Sequence, residues 1–423
     1  MNKHVVVIAV CLGLAAPALA GPFGVRLTYA GDPATTIAIS WNSDDATDNE
    51  VHWGTSPDAL TNTTLVGAAD RHAMDAPLGT SFSARLTGLT PGTTYFYEVG
   101  HGAALYPTTA YSFATLSNDP CAPVHFVAVG DNRTDSLFGS AGVSPKYAGI
   151  LADAAATTPS FFVNTGDMVR DGTSADQWND FITTSEPTWS QIPSMTTQGN
   201  HDAGSVDGDG APYNELFELP RNPATSTEDF YSIDVGPIHF ATINANHTTD
   251  TELQTEAQWL DADLAATAQP WKIVFFHKGI YSRGNHHTGE EADADGNAGV
   301  LNATYVPIFD AHHVDLVING HSHDYERFAP SRGVDTAFGG TGRTLPAGDA
   351  TTLDPAAALP DGATATTYVV TGGGGASTTD VPGLNFNCPD GSCTFCGFVS
   401  NRCEQTVFDE DQAASLVFDG TQH

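Results

Sequence analysis

Between residues 125 and 320, five strand-like runs each end in a cluster of polar residues, and this recurrence constrains the fold more than any other feature of the chain. The runs are His125 to Gly130, Phe161 to Gly166, Met195 to Gly199, Lys272 to His277 and Val314 to Gly320. Short runs rich in Val, Ile and Phe read as buried strands. Helical stretches intervene at Lys146 to Ala156 and Thr251 to Ala266, the second with Leu253, Ala257, Leu260 and Leu264 on one face. Alternating strands and helices predict an α/β sheet. In such sheets the loops at the carboxyl ends of the strands carry the ligands. Those ends here read Gly130-Asp131-Asn132-Arg133, Gly166-Asp167-Met168-Val169-Arg170, Gly199-Asn200-His201-Asp202, Phe276-His277 and Gly320-His321-Ser322-His323. One Gly-Asp after a strand is a turn signal. Five ends with Asp, Asn or His on one rim are oxygen and imidazole donors suited to Zn, Mn or Fe. Without a cation, the carboxylates among them would repel one another.

The chain has 423 residues, enough for two or three domains. Its apolar fraction of 40% builds a large core and excludes global disorder, collagen and coiled coil. Fifty acidic residues against fifteen Lys plus Arg give a formal charge of −35. A surface of that sign repels phosphate backbones, so no nucleic acid partner is expected. Residues 1–20 read as a signal peptide: Lys3 and His4, an apolar run from Val5 to Ala16, then Pro17-Ala18-Leu19-Ala20. No later apolar stretch is long enough for a membrane anchor. The expected product is soluble and secreted or periplasmic. Cys11 falls in the signal segment, while Cys388, Cys393, Cys396 and Cys403 crowd one tail and Cys121 stands apart. The spacing is poor for zinc knuckles, and an oxidising compartment favours disulfides.

Residues 24 to 117 carry six short β-type runs separated by turn residues, as in a small sandwich. Leu89-Thr90-Pro91-Gly92-Thr93-Thr94-Tyr95-Phe96-Tyr97 resembles the turn and tyrosine corner of a fibronectin type III domain. Phe230 to Asn244 reads as a hairpin turning at Gly236-Pro237, and Thr367 to Thr371 as a further strand. The expected domains are a β-sandwich at 21–117, an α/β domain at 121–375 and a Cys-containing tail at 376–423. Other constellations fail: there is no Gly-x-Ser-x-Gly elbow and no Gly-Lys-Ser/Thr phosphate loop. Asp293-x-Asp295-x-Asn297 lacks the glycine and glutamate of a calcium loop.

Together the five motifs resemble the metallophosphoesterase (calcineurin-like) family, in particular its purple acid phosphatase-like branch, which carries a fibronectin-like domain in front. The resemblance implies an αββα layered sandwich with mixed sheets. It implies two metal ions, Zn, Mn or Fe, with a mixed pair allowed: Asp131, Asp167 and His323 on the first, Asp167 bridging, and Asn200, His277 and His321 on the second. His201, His286 and His287 fall at the family's pocket positions and are the expected acids for the leaving oxygen. Asp202 is expected to cap or support, and His312-His313 to pack or face solvent. Two departures stand out. Arg170 occupies the position of the tyrosine that colours the purple enzymes, and Arg133 the position where other members place a histidine. The expectation is therefore a colourless protein, with each arginine in an ion pair or steadying phosphate. The implied function is a secreted phosphatase that hydrolyses small phosphate monoesters by in-line attack of a metal-bound hydroxide. The alternatives are a phosphodiesterase or nucleotidase of the same family, or a non-catalytic exported binding or adhesion protein.

Overall fold

The computed structural model describes residues 21–119, 122–135, 141–202, 212–223, 225–246, 250–282, 298–328, 331–334, 365–376 and 414–418. The N-terminal domain comprises β1 (Phe23–Thr28), β2 (Ile37–Ser43), β3 (Glu50–Gly54), β4 (Asn62–Leu65), β5 (Arg71–Ala73), β6 (Thr80–Leu86), β7 (Thr94–His101) and β8 (Ala104–Ala114). They form two antiparallel sheets, in the orders β1-β2-β6-β5 and β4-β3-β7-β8. Trp41 fills the space between them, stacked on Phe82 with ring centroids 5.4 Å apart. Its indole N–H donates to the Asp48 carbonyl at 2.9 Å, so its one polar atom is satisfied. The Tyr95 hydroxyl accepts the Thr90 N–H at 2.9 Å, which is the tyrosine corner expected from the turn sequence. Strands β4 and β5 had no clear sequence signal: β4 is an edge strand largely exposed, and β5 has three residues.

The second domain follows with β9 (Val124–Val129), α1 (Tyr147–Ala156), β10 (Phe161–Asn164), α2 (Ala175–Trp189), β11 (Ser194–Thr196), α3 (Pro212–Leu216), β12 (Tyr231–Val235), β13 (Ile238–Thr242) and α4 (Asp250–Ala266). It continues with β14 (Trp271–Phe275), α5 (Ala298–His312), β15 (Leu316–Asn319), β16 (Tyr325–Arg327), β17 (Thr367–Thr371) and β18 (Ala414–Phe418). Two mixed sheets result, β11-β10-β9-β18 and β12-β13-β14-β15-β17-β16. Strands β9, β10 and β11 run parallel, as do β13, β14, β15 and β17; β12, β16 and β18 pair antiparallel at the edges. The sheets meet face to face: Phe126 and Phe161 contact the Phe240 ring edge-on at 5.2 and 5.4 Å. On the outer side of the larger sheet, Val274, Phe276 and Val317 pack with Leu253, Leu260 and Leu264 of α4 and with Tyr305 and Phe309 of α5. On the other side, Tyr147 of α1 stacks on Phe181 of α2. The layering is thus helices, sheet, sheet, helices.

Helix α2 lacked a sequence expectation because Pro187 lies inside it and reads as a breaker. Its start is marked by Ser174, whose hydroxyl accepts the Gln177 N–H. The tail beyond residue 376 returns to the fold as β18, whose backbone pairs with β9. All six cysteines, the expected signal segment and the His286-His287 pair lie outside the described residues.

The two domains share one core. Phe23, Val25 and Leu27 of β1 join Phe181, Ile182 and Trp189 of α2 in a single hydrophobic cluster. Polar contacts frame it. Glu186 accepts the Gly24 N–H at 2.9 Å and the Tyr111 hydroxyl at 3.1 Å, and the Tyr97 hydroxyl donates to the Ser190 carbonyl at 2.6 Å.

Candidate metal centre

The five strand ends converge, but from two sheets and not on the single rim expected, because the strands divide three and two between the facing sheets. Parallel pairing in register puts the residues after β9, β10 and β11 on one rim, and those after β14 and β15 on the facing rim. Three site residues sit in the left-handed backbone region: Asp131 at φ 57°, Asp167 at φ 54° and His321 at φ 73°. Non-glycine residues rarely adopt it, at a cost of about 1–3 kcal/mol each. Such strain persists where the surroundings enforce one side-chain direction. The neighbouring glycines allow the close approach. A Cβ on Gly199 would collide with the Asp167 carboxylate, and one on Gly320 would press on that of Asp131.

His277 is the hub. It is fully buried, and burial pushes its pKa down to about 4, with the nearby Asp167 opposing that shift. Its Nδ1 lies 2.9 Å from the Thr165 carbonyl, which only accepts, so Nδ1 carries the proton. The Nε2 lone pair then faces Asp167 Oδ1 at 3.2 Å, Asn200 Oδ1 at 3.0 Å and His321 Nδ1 at 3.2 Å. The Asp167 and Asn200 oxygens only accept, and a cation shared by them, His277 Nε2 and a His321 ring nitrogen would satisfy the cluster. Metal–ligand bonds of about 2.0–2.2 Å in a tetrahedron place donors about 3.3–3.6 Å apart, close to these separations. The donor set therefore fits a transition-metal ion. A ligand atom each from Asp131, Asp167 and His277 also falls within one 4.8 Å group.

Asp131 is buried; its Oδ2 accepts the His321 N–H at 2.8 Å, and its Oδ1 accepts no hydrogen bond. His323 Nε2 lies 3.6 Å from that Oδ1. Burial and the Asp167 charge push Asp131 well above the usual carboxylate range. Burial acts the same way on Asp167, but His277, His201 and Arg133 outweigh it and hold Asp167 below that range.

Arg133 enters among these groups. Its Nε lies 3.2 Å from Asp167 Oδ2, and a terminal guanidinium nitrogen lies 3.3 Å from His323 Nε2. The ion-pair reading of Arg133 is thereby met. Arg170 contributes through its backbone: its carbonyl accepts His201 Nδ1 at 2.7 Å. That bond turns His201 Nε2 toward Asp167 Oδ2, 4.0 Å away, while the His201 N–H donates to Asp167 Oδ1 at 3.0 Å. Asp202 supports the loops, accepting the N–H groups of Met168, Val169 and Gly199 at 2.8, 3.0 and 2.8 Å. His312 lies away from the site and pairs with Asp261 on the surface.

Two supporting residues went unread in the sequence. Thr165 fixes the His277 ring through its carbonyl, a role any residue type can fill. Asn164 donates to Asn132 Oδ1 at 3.0 Å, and Asn132 donates to the Met168 carbonyl at 2.9 Å, tying the first two loops together. An asparagine ending a run as apolar as Phe161-Phe162-Val163 was the available signal.

Comparison with known proteins agrees with this geometry. Residues 22–115 match the purple acid phosphatase N-terminal domain, and residues 125–325 match the calcineurin-like phosphoesterase family. Residues 125–325 thus form a calcineurin-like phosphoesterase domain, preceded at 22–115 by a purple acid phosphatase N-terminal domain. An uncharacterized protein of Mycobacterium tuberculosis is 26% identical over 395 residues, 84% of this chain and 69% of that protein. Purple acid phosphatase 22 of Arabidopsis thaliana is 30% identical over 249 residues, 57% of this chain and 52% of its own length. The chain thus spans about half the length of the plant relative. Among solved structures, a purple acid phosphatase from yellow lupin (Lupinus luteus) seeds superposes with a TM-score of 0.62 at 21% identity, covering 87% of this chain and 67% of that one.

Proposed function

We propose that this chain is an exported, metal-dependent phosphomonoesterase. The observation that carries the reading is the His277 Nε2 lone pair turned toward Asp167, Asn200 and His321, a donor set that calls for a cation. Asp167, Asn200, His277 and His321 would hold a divalent metal, with Asp131 and His323 beside it. When bound, such an ion supplies Lewis-acid stabilisation of charge on a phosphoryl group. The chain's own residues do the rest. Arg133 presents fixed N–H donors at the rim, and its charge draws an anionic ester toward a site on a strongly acidic chain. His201 has one ring nitrogen committed to the Arg170 carbonyl, and its side chain is 28% exposed. In the doubly protonated form its Nε2 holds a proton for the departing alkoxide oxygen. His286 and His287 are proposed as further acids from their motif positions. Export is proposed from the character of residues 1–20, and disulfides among the tail cysteines follow from that compartment.

The test is turnover of p-nitrophenyl phosphate and its bis ester by the purified chain, with Zn, Mn or Fe supplied and then removed by chelation. Metal-dependent hydrolysis that favours the monoester supports the proposal. A preference for the bis ester would reassign the chain to phosphodiesters, and no turnover of either would favour a binding protein.

A further inference from the structure

The placement of Arg133 carries an inference about how many cations the site accepts; it rests on the metal-dependent reading above. Three donor groups would serve a first metal: Asp131, Asp167 Oδ2 and His323 Nε2. Arg133 engages two of them, at 3.2 Å to Asp167 Oδ2 and 3.3 Å to His323 Nε2. A guanidinium has no lone pair, so His323 Nε2 is the acceptor, and the electron pair a metal would need is already used. Asp167 Oδ2 keeps a second lone pair, but its charge-assisted contact with the guanidinium weakens it as a donor to a further cation.

The arginine is built in rather than draped over the site. Its side chain is 10% exposed. Its backbone N–H donates to the Asp167 carbonyl at 3.1 Å, and it forms a β-bridge with Val143. The remaining terminal nitrogen reaches Asp135 at 3.5 Å on the solvent side. A fixed positive charge among the donors would repel a second divalent cation at a few ångströms, in a buried place where screening is weak. The other set, Asp167 Oδ1, Asn200, His277 and His321, makes no contact of this kind with Arg133.

We infer that the Arg133 guanidinium takes the place of a first metal ion, so that the chain binds one transition-metal ion on Asp167, Asn200, His277 and His321 beside a permanent organic cation. The site then carries one positive charge fewer than a pair of divalent ions would give it.

The test is metal content. The full chain is equilibrated with excess Zn or Mn, freed of unbound metal by gel filtration, and assayed by elemental analysis. About one ion per chain is expected for the native sequence, and about two for Arg133→His, which restores an imidazole at that position and removes the competing charge. The Mn-loaded native chain should show an uncoupled, mononuclear electron paramagnetic resonance spectrum, a readout independent of how well the variant folds. Two ions per native chain, or a spin-coupled Mn pair, would overturn the inference while leaving the phosphoesterase reading intact. No bound metal would overturn both.

Discussion

His277 and Asp167, 110 positions apart in the chain, meet with Nε2 and Oδ1 separated by 3.2 Å, and no proton is available to bridge them. A cation shared between them resolves that contact, so removing one partner should cost metal binding rather than fold. For His277→Ala, Zn affinity measured calorimetrically is expected to fall by more than the roughly 10–100-fold typical of outer-shell substitutions, with the far-ultraviolet circular dichroism retained. Unchanged affinity would mean that the metal sits elsewhere.

His201→Ala separates proton donation from metal binding. With the metal content preserved, kcat on an alkyl phosphate should fall by about 10²–10⁴. The loss on p-nitrophenyl phosphate should be smaller, because its leaving group needs little protonation. Equal losses on the two esters would show that His201 acts by orienting Asp167.

Much of this arrangement was legible in the sequence, because the ligand-bearing loops follow strands whose apolar character announces them. The parallel register that gathers Asp131, Asp167 and Asn200 on one rim follows from β9, β10 and β11 being neighbours. The direction of Arg133 was not legible. Its contact with His323 crosses from the first sheet's rim to the second's, and no local pattern encodes a meeting across 190 positions. Helix α2 was hidden by Pro187, and β18 by a tail with no periodicity of its own, since an edge strand is defined by the partner it finds. The shared core also escaped the sequence reading. Phe23, Val25 and Leu27 look like the inside of a sandwich until α2 is seen to cover them.

Asp202 holds two ligand-bearing loops through three N–H groups. Asp202→Ala leaves all three unsatisfied and should lower unfolding stability by about 3 kcal/mol or more, read as a lower urea midpoint. A midpoint within error of the native chain would show that water replaces the carboxylate.

His239, remote from the metal ligands, gives the pH response a defined sign. Its ring nitrogens lie 2.7 Å from Asp234 and 2.8 Å from Asp263, so both donate and the ring is charged. Burial alone would lower its pKa, but the two carboxylates outweigh that and raise it to about 9. The folded value thus lies above the unfolded value of about 6.5. The added stability is full below about pH 6.5 and is lost as pH rises through about 9. The difference in Tm between the native chain and His239→Gln should be largest at the acid end of that window and shrink across it. A constant difference would contradict the charged-ring assignment.

The proposed activity requires a cation held where Asp167, Asn200, His277 and His321 converge. Anomalous diffraction from a crystal of the Zn-loaded chain tests this most directly. The predicted result is a strong peak within bonding distance of those four side chains, with the Arg133 guanidinium beside Asp167. A map with no peak there, or with metal only at surface carboxylates, would contradict it.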